Sequence, residues 1–216
     1  NLLLAGLLTT PALAQEGFEY ARPDISPESS SGYQEKPGWS TSSFAVAAAN
    51  PLATDAGYQG IKAGGSAIDA AIAVQMVLTL VEPQSSGIGG GSFLMLFDGE
   101  EVHAFDGREK APLGADESLF LNADGDPIDF MTAVESGRSV GVPGTLRMLE
   151  LAHDEYGELP WKSLFAPAIT LATEGFEISP RLHQSLVSTP SLAEDEIAGA
   201  YFFDDQGEPL EVGTTL

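Results

Sequence analysis

The sequence predicts an α+β fold in which helices layer against an antiparallel β-hairpin, rather than winding around a parallel sheet. Three observations carry that expectation. Two helix-forming segments come first, two strand-like runs joined by Asp98-Gly99 follow, and further helical segments come after the turn Gly141-Val142-Pro143-Gly144. Asp-Gly between apolar runs is a strong hairpin signal, because a tight two-residue turn needs positive φ at its centre.

The chain has 216 residues, opens on Asn1 rather than Met and stops at "EVGTTL" without a cap, so a piece of a longer protein is expected. Residues 1–14, "NLLLAGLLTTPALA", have the apolar run of a signal peptide whose basic n-region is missing, then Pro11 and the small-x-small pattern Ala12-Leu13-Ala14. The run is shorter than the roughly 20 apolar residues of a membrane span. Cleavage before Gln15 and export are therefore expected, with no membrane anchor. Residues 15–42, rich in Pro and Ser, read as a low-order leader, and residues 43–216 as the folded part.

"AVAAAN" begins as a short apolar strand and turns at Asn50-Pro51 into a helix. Asn50 suits the N-cap, Pro51 the first helical position, and Gly64-Gly65 the stop. A second helix starts at Ser66, with Asp69 in capping-box position, and is apolar on nearly every face until Pro83, as a buried central helix would be. Strands are expected at 93–97 and 101–106. Two more helices are expected, one over 145–156 closed by Gly157 and one over 160–174 closed by Gly175; no internal repeat is apparent.

Nine Lys and Arg against 32 Asp and Glu leave a formal charge of −23, which disfavours nucleic acid and anionic lipid as partners. The acids are spread along the chain, as on a solvated surface. With no cysteine, disulfides, thiol catalysis and Cys-bound metal are excluded for this segment.

The run "SSGIGGGSFLMLF" invites a phosphate-cradle reading. In such sites a strand leads into the glycines and a helix follows, offering its N-terminal amides to the phosphate. Here a helix leads in and a strand follows, and no Gly-Lys-Ser/Thr is present. Nucleotide binding is not expected. Close backbone packing at Gly89 to Gly91 is the main reading, and a backbone donor nest beside an active site is the other.

Arg108, in "FDGREKAP", stands just past a strand in a region with little other positive charge. A guanidinium can grip a carboxylate with two parallel hydrogen bonds, and loops at strand ends are where scaffolds present such groups. The residues alone leave this reading level with a surface ion pair to Glu109 or another acid. His103, His153 and His183 lack ligand spacing and read as structural. Asp124-Gly125-Asp126 lacks the other positions of a calcium loop. Thr214-Thr215 has nothing beside it that would make a nucleophile.

The segments "ANPLATDAGYQGIKAGGSAIDAAIAVQMVLTLVEPQSSGIGGGSFLML", "FDGREKAP", "GVPGT" and "YGELPWKSLFAPAITLATEGFEIS", in this order, resemble the N-terminal part of the gamma-glutamyltransferase family, also called gamma-glutamyl transpeptidase or glutathione hydrolase. The resemblance runs from about Ser43 to the end. It implies an N-terminal-nucleophile hydrolase with an αββα sandwich, incomplete in this chain, which would be the front of the large subunit. Such enzymes are made as a precursor that cleaves itself. The new N-terminal threonine of the small subunit attacks the gamma-glutamyl amide, with its own amine as base. Water or an acceptor amino acid or peptide then takes the acyl group.

By this likeness the nucleophile lies beyond residue 216, no residue of this chain is catalytic, and the chain alone is expected to be inactive. Arg108 falls on the arginine that binds the substrate's α-carboxylate, and the glycine run shapes the strand leading to it. Glutathione and related gamma-glutamyl compounds would be substrates, the chain's own small subunit its partner, and the location periplasmic or extracellular; no cofactor or metal is implied. "EPQSSGIGGG" departs from the family's usual His-Pro-Gln lead-in, and Gly107 precedes the arginine. Two alternatives stand beside this reading: a related acylase or amidase for other acyl groups, and a non-catalytic exported binding protein.

Overall fold

A computed structural model of the chain describes residue 38 and residues 40–216. The signal peptide and most of the expected leader lie outside the described residues. Helix α1 (Pro51–Lys62) is capped by Asn50, whose side chain accepts from the Leu52 amide at 3.0 Å. Helix α2 (Ala67–Val81) starts at a capping box in which Asp69 takes the place of the usual Glu or Gln. Asp69 N donates to Ser66 Oγ at 3.2 Å, and Ser66 N donates to Asp69 Oδ2 at 2.8 Å.

The apolar composition of α2 buries it, as expected. Ile72 and Val77 are fully buried, each side chain stabilising the fold by about 1.5–3 kcal/mol. One flank meets α1 through Ala53, Ala56, Ala73 and Val77; α1 comes so close that a Cβ at Gly57 would lie 2.6 Å from the Val74 side chain. The other flank, Ile68, Ile72 and Met76, packs with Phe105, Met148, Leu149 and Leu164.

Strands β1 (Ser92–Phe97) and β2 (Val102–Gly107) pair antiparallel, with Leu94 opposite Phe105 and Leu96 opposite His103. The turn sits one residue later than expected. Asp98 N donates to Glu101 O at 3.2 Å, so Gly99 and Glu100 are central, and only Gly99 has positive φ, at +107°. Asp98 stays out of that region because its Oδ1 accepts from the amides of Glu100 and Glu101, at 2.8 and 2.9 Å.

The inner face of the hairpin packs on the α2 core, while Phe93, Met95, Phe97 and Val102 on the outer face are more than half exposed. Helices and hairpin thus stack as two layers, with one face of the hairpin bare.

Helix α3 (Phe130–Val134) follows, then α4 (Thr145–Tyr156), which ends at Gly157 as expected. The helix expected over 160–174 is instead a 3₁₀ turn, Trp161–Phe165, followed by α5 (Ala166–Glu174). Pro167 explains the break: it has no N–H to continue the earlier ladder, and it suits the first turn of a new helix. Helices α6 (Pro180–Val187) and α7 (Glu196–Phe202) complete the chain around Ile178, Leu182, Leu186 and Phe203. No strand forms at 45–49, because that extended segment has no ladder partner among the described residues. No helix among the described residues is long and apolar enough to cross a membrane.

Candidate functional site

Arg108 leaves the end of β2 at a point where three backbone segments converge. Its amide donates to Asp106 Oδ1 at 2.9 Å, which fixes the direction of the chain as the strand ends. Two residues on, Lys110 pairs with Val142, with Val142 N donating to Lys110 O at 2.8 Å and Lys110 N to Val142 O at 3.3 Å. The arginine is therefore carried on a short bridge between β2 and the turn that starts α4.

Glycine at four places permits the convergence. A Cβ at Gly107 would lie 2.6 Å from Met148 Cβ, and one at Gly141 would lie 2.8 Å from Glu109 Cβ. A Cβ at Gly91 would lie 2.7 Å from both Glu109 N and Glu109 Cδ. One at Gly144 would collide with the Gly107 carbonyl oxygen and lie 3.0 Å from Arg108 O. Any larger residue would push the Arg108 loop away from its supports.

The glycine run also holds the start of α4. Gly90 O accepts from Gly144 N at 3.1 Å, Thr145 N at 3.2 Å and Thr145 Oγ1 at 3.1 Å. Thr145 Oγ1 in turn accepts from Ser92 Oγ at 3.1 Å, and Thr145 is almost fully buried. The amides of Gly144, the N-cap, and Thr145 are thus spent on a carbonyl rather than offered to an anion, and close packing is what the glycines do here.

Arg108 itself is exposed, and among the described residues its guanidinium makes neither a side-chain hydrogen bond nor an ion pair. Glu109, the nearest candidate acid, instead lays its carboxylate along Gly91. The other arginines of α3 to α6 are engaged. Arg147 pairs with Glu150, Arg181 with Glu82, and Arg138 donates to the carbonyls of Leu119 and Leu121 at 3.2 and 3.0 Å. A forked, unspent cation on a braced loop can take a planar carboxylate from solution.

The remaining sequence candidates serve the fold. His153 Nε2 donates to Leu159 O at 2.8 Å and lies 3.5 Å from Asp69 Oδ1. Asp69 Oδ2 accepts from the amides of Glu158 and Leu159, at 2.9 and 3.1 Å, so one carboxylate caps α2 and pins the loop after α4. His183 Nδ1 lies 2.9 Å from Leu210 O. Asp124 and Asp126 donate their amides to Asn122 Oδ1, each at 2.9 Å, in a local turn. Thr214 and Thr215 pair through their backbone with Ile178 and Glu177.

One cluster escaped the sequence reading. His103 Nε2 lies 2.9 Å from Asp98 Oδ2, and with Glu101 these residues bring three potential ligand atoms within 4.8 Å of one another. The turn geometry assembles them, which spacing alone did not reveal. The amide of Glu101 and then His103 hold the Asp98 carboxyl well below its usual range, and the bond to Asp98 raises the His103 pKa. Separately, an open hollow of about 370 Å³ between α1 and α5, lined by Leu52, Ala56, Pro167 and Leu171 among others, includes no residue of the Arg108 loop.

A family model described as gamma-glutamyltranspeptidase matches residues 53–216. The "Glutathione hydrolase proenzyme" of Bacillus subtilis (strain 168) is 43% identical over 173 residues, covering 79% of this chain and 29% of that protein. Among solved structures, the gamma-glutamyltranspeptidase of Helicobacter pylori superposes with a TM-score of 0.76 at 33% identity, covering 83% of this chain and 52% of that one. The cephalosporin acylase of Bacillus halodurans superposes with a TM-score of 0.61 at 28% identity, covering 85% and 36%. The fold shared with them is that of the N-terminal-nucleophile hydrolases, present here in part. The chain spans about three tenths of the length of the curated relatives it matches.

Proposed function

Because the chain belongs to the gamma-glutamyltranspeptidase family, we propose that it forms the front of the large subunit of an exported enzyme that cleaves the gamma-glutamyl amide of glutathione and related compounds. The gamma-glutamyl group passes to water or to an acceptor amine or peptide by way of an acyl-enzyme on a threonine beyond residue 216. Residues 1–14 direct export, residues 15–42 lead into the domain, and residues 43–216 build the large-subunit layer. The opening apolar run with Ala12-Leu13-Ala14 supports this division.

One observation carries the reading: the exposed, uncommitted guanidinium of Arg108, on a loop held by Gly91, Gly107, Gly141 and Gly144. In this role Arg108 takes the α-carboxylate of the gamma-glutamyl group in a two-pronged grip. That anchors the substrate remote from its scissile amide, so binding energy orients the amide towards the nucleophile. The bare outer face of the hairpin, Phe93, Met95, Phe97 and Val102, suits burial under the rest of the protein, the chain's own small subunit after self-cleavage.

The test is substrate choice by the full-length protein. Hydrolysis of a gamma-glutamyl chromogenic amide, with little action on the glutaryl amide that lacks the α-amino group, supports the proposal. Preference for the glutaryl or another simple acyl amide favours the acylase reading, for which the likeness to the cephalosporin acylase is the supporting observation. Inactivity towards all of them, with no self-cleavage, favours a binding protein.

A further inference from the structure

Glu82 is a carboxylate at the C-terminal end of α2 with only 2% of its surface exposed. A charge so placed needs partners. Its Oε2 accepts from Arg181 Nη1 and from Gln84 Nε2, both at 2.7 Å. The other prong of the same guanidinium, Arg181 Nη2, donates to Ser85 Oγ at 2.9 Å. A single side chain from α6 therefore grips two points of the turn that leads into the glycine run, a turn already tightened by the amides of Ser85 and Ser86 on Glu82 O, at 3.0 and 2.9 Å.

Only three residues then span from Ser86 to Gly90. Gly87, Ile88 and Gly89 are exposed, and a Cβ at Gly89 would meet nothing within 4 Å. At Gly90 the chain is fixed again by Gly144 and Thr145, and Gly91 then lies against Glu109, the neighbour of Arg108. The path of the glycine run is set from its two ends. The downstream end is local to the site, whereas the upstream end is held by a residue far along the chain.

We propose that Arg181, through Glu82 and Ser85, is a positioning residue that fixes the glycine run and thereby the loop carrying Arg108. This rests on the reading of Arg108 as the carboxylate-binding residue. Arg181 itself touches no substrate. It sets how far the run presses on Glu109, and so where the neighbouring guanidinium stands. A lysine would keep the charge but could not hold Glu82 and Ser85 with the same fork.

The test uses the full-length protein with Ser85→Ala, which removes one grip without stranding a buried charge, and with Arg181→Lys. Amide exchange is followed by mass spectrometry over residues 86–91 and 107–110, together with thermal midpoint, kcat and KM on a gamma-glutamyl amide. Faster exchange in both segments at a nearly unchanged midpoint for Ser85→Ala, with KM raised about three- to tenfold and kcat within about twofold, is the expected result. Unchanged exchange over 107–110 overturns the proposal. So does an unchanged KM in a protein whose KM does respond to Arg108→Ala. If Arg108→Ala leaves KM unmoved, the reading of Arg108 fails, and the exchange data alone decide whether Arg181 holds the loop.

Discussion

The amide of Gly144 donates to the carbonyl of Gly90 across 3.1 Å, joining two glycine turns that lie on either side of the Arg108 loop. A bond of that kind adds only about 1 kcal/mol to stability. Its importance is geometric, because it brings Gly144 so close to Gly107 and Arg108 that no side chain fits between them.

The glycines of this region should therefore differ sharply in tolerance. Gly144→Ala would drive a methyl into the Gly107 carbonyl, which is fixed backbone, and should cost about 1–3 kcal/mol or more. Gly89→Ala, with open space around it, should cost a few tenths of a kcal/mol at most. Denaturant unfolding of the two full-length variants checks the order, and equal losses would contradict the packing described here.

The outer face of the hairpin yields a second expectation. Met95 is 74% exposed and stands opposite Ala104. Met95→Lys should make the isolated polypeptide of residues 1–216 more soluble, because it breaks an apolar patch. If the rest of the protein covers this face, as proposed, the same change in the full-length protein should destabilise the fold or block self-cleavage. Light scattering of the first and subunit analysis of the second provide the comparison.

The hairpin turn should be sensitive to pH from two sides. Because its pair with Asp98 raises the His103 pKa above the ordinary 6.5, the stabilisation from this group is complete below about that pH and is lost as pH rises through the folded value. The Asp98 carboxyl is lowered from 3.8, mainly by the Glu101 amide and then by His103, so its contribution is present above that pH and is lost as pH falls through the folded value. Glu155 and Tyr156 of α4 lie on the same side, and Glu101 and Glu155 both favour the charged imidazole. An NMR titration of His103 should give a pKa above 6.5 that drops in Asp98→Asn; an unshifted value in the parent protein would contradict the pairing.

Legibility in the sequence followed the range of the interactions. Asn50 with Pro51, and Ser66 with Asp69, state their helix starts within a few residues, and both helices form as read. Ser179-Pro180 carries the same signal for α6. Pro167 lies inside the helix expected over 160–174, although it marks a new start. The position of Arg108 past a strand was legible, because an Asp-Gly turn and alternating residues define the hairpin. Its bracing is not, since Gly90 with Thr145 and Lys110 with Val142 meet only after the chain has folded.

Arg108 is proposed to hold the α-carboxylate of a gamma-glutamyl substrate. The direct measurement is kcat and KM for full-length wild type, Arg108→Ala and Arg108→Lys, on a gamma-glutamyl amide and on its analogue lacking the α-carboxylate. Hydrogen bonds to charged groups contribute about 1.5–3 kcal/mol, so Arg108→Ala should lower kcat/KM on the first substrate by about an order of magnitude or more. Most of the loss should appear in KM, because the contact is made equally in ground and transition states, and Lys should restore only part of it. The analogue should be indifferent to the mutation, and self-cleavage should persist. Equal losses on both substrates would show that Arg108 supports the fold and would contradict the account.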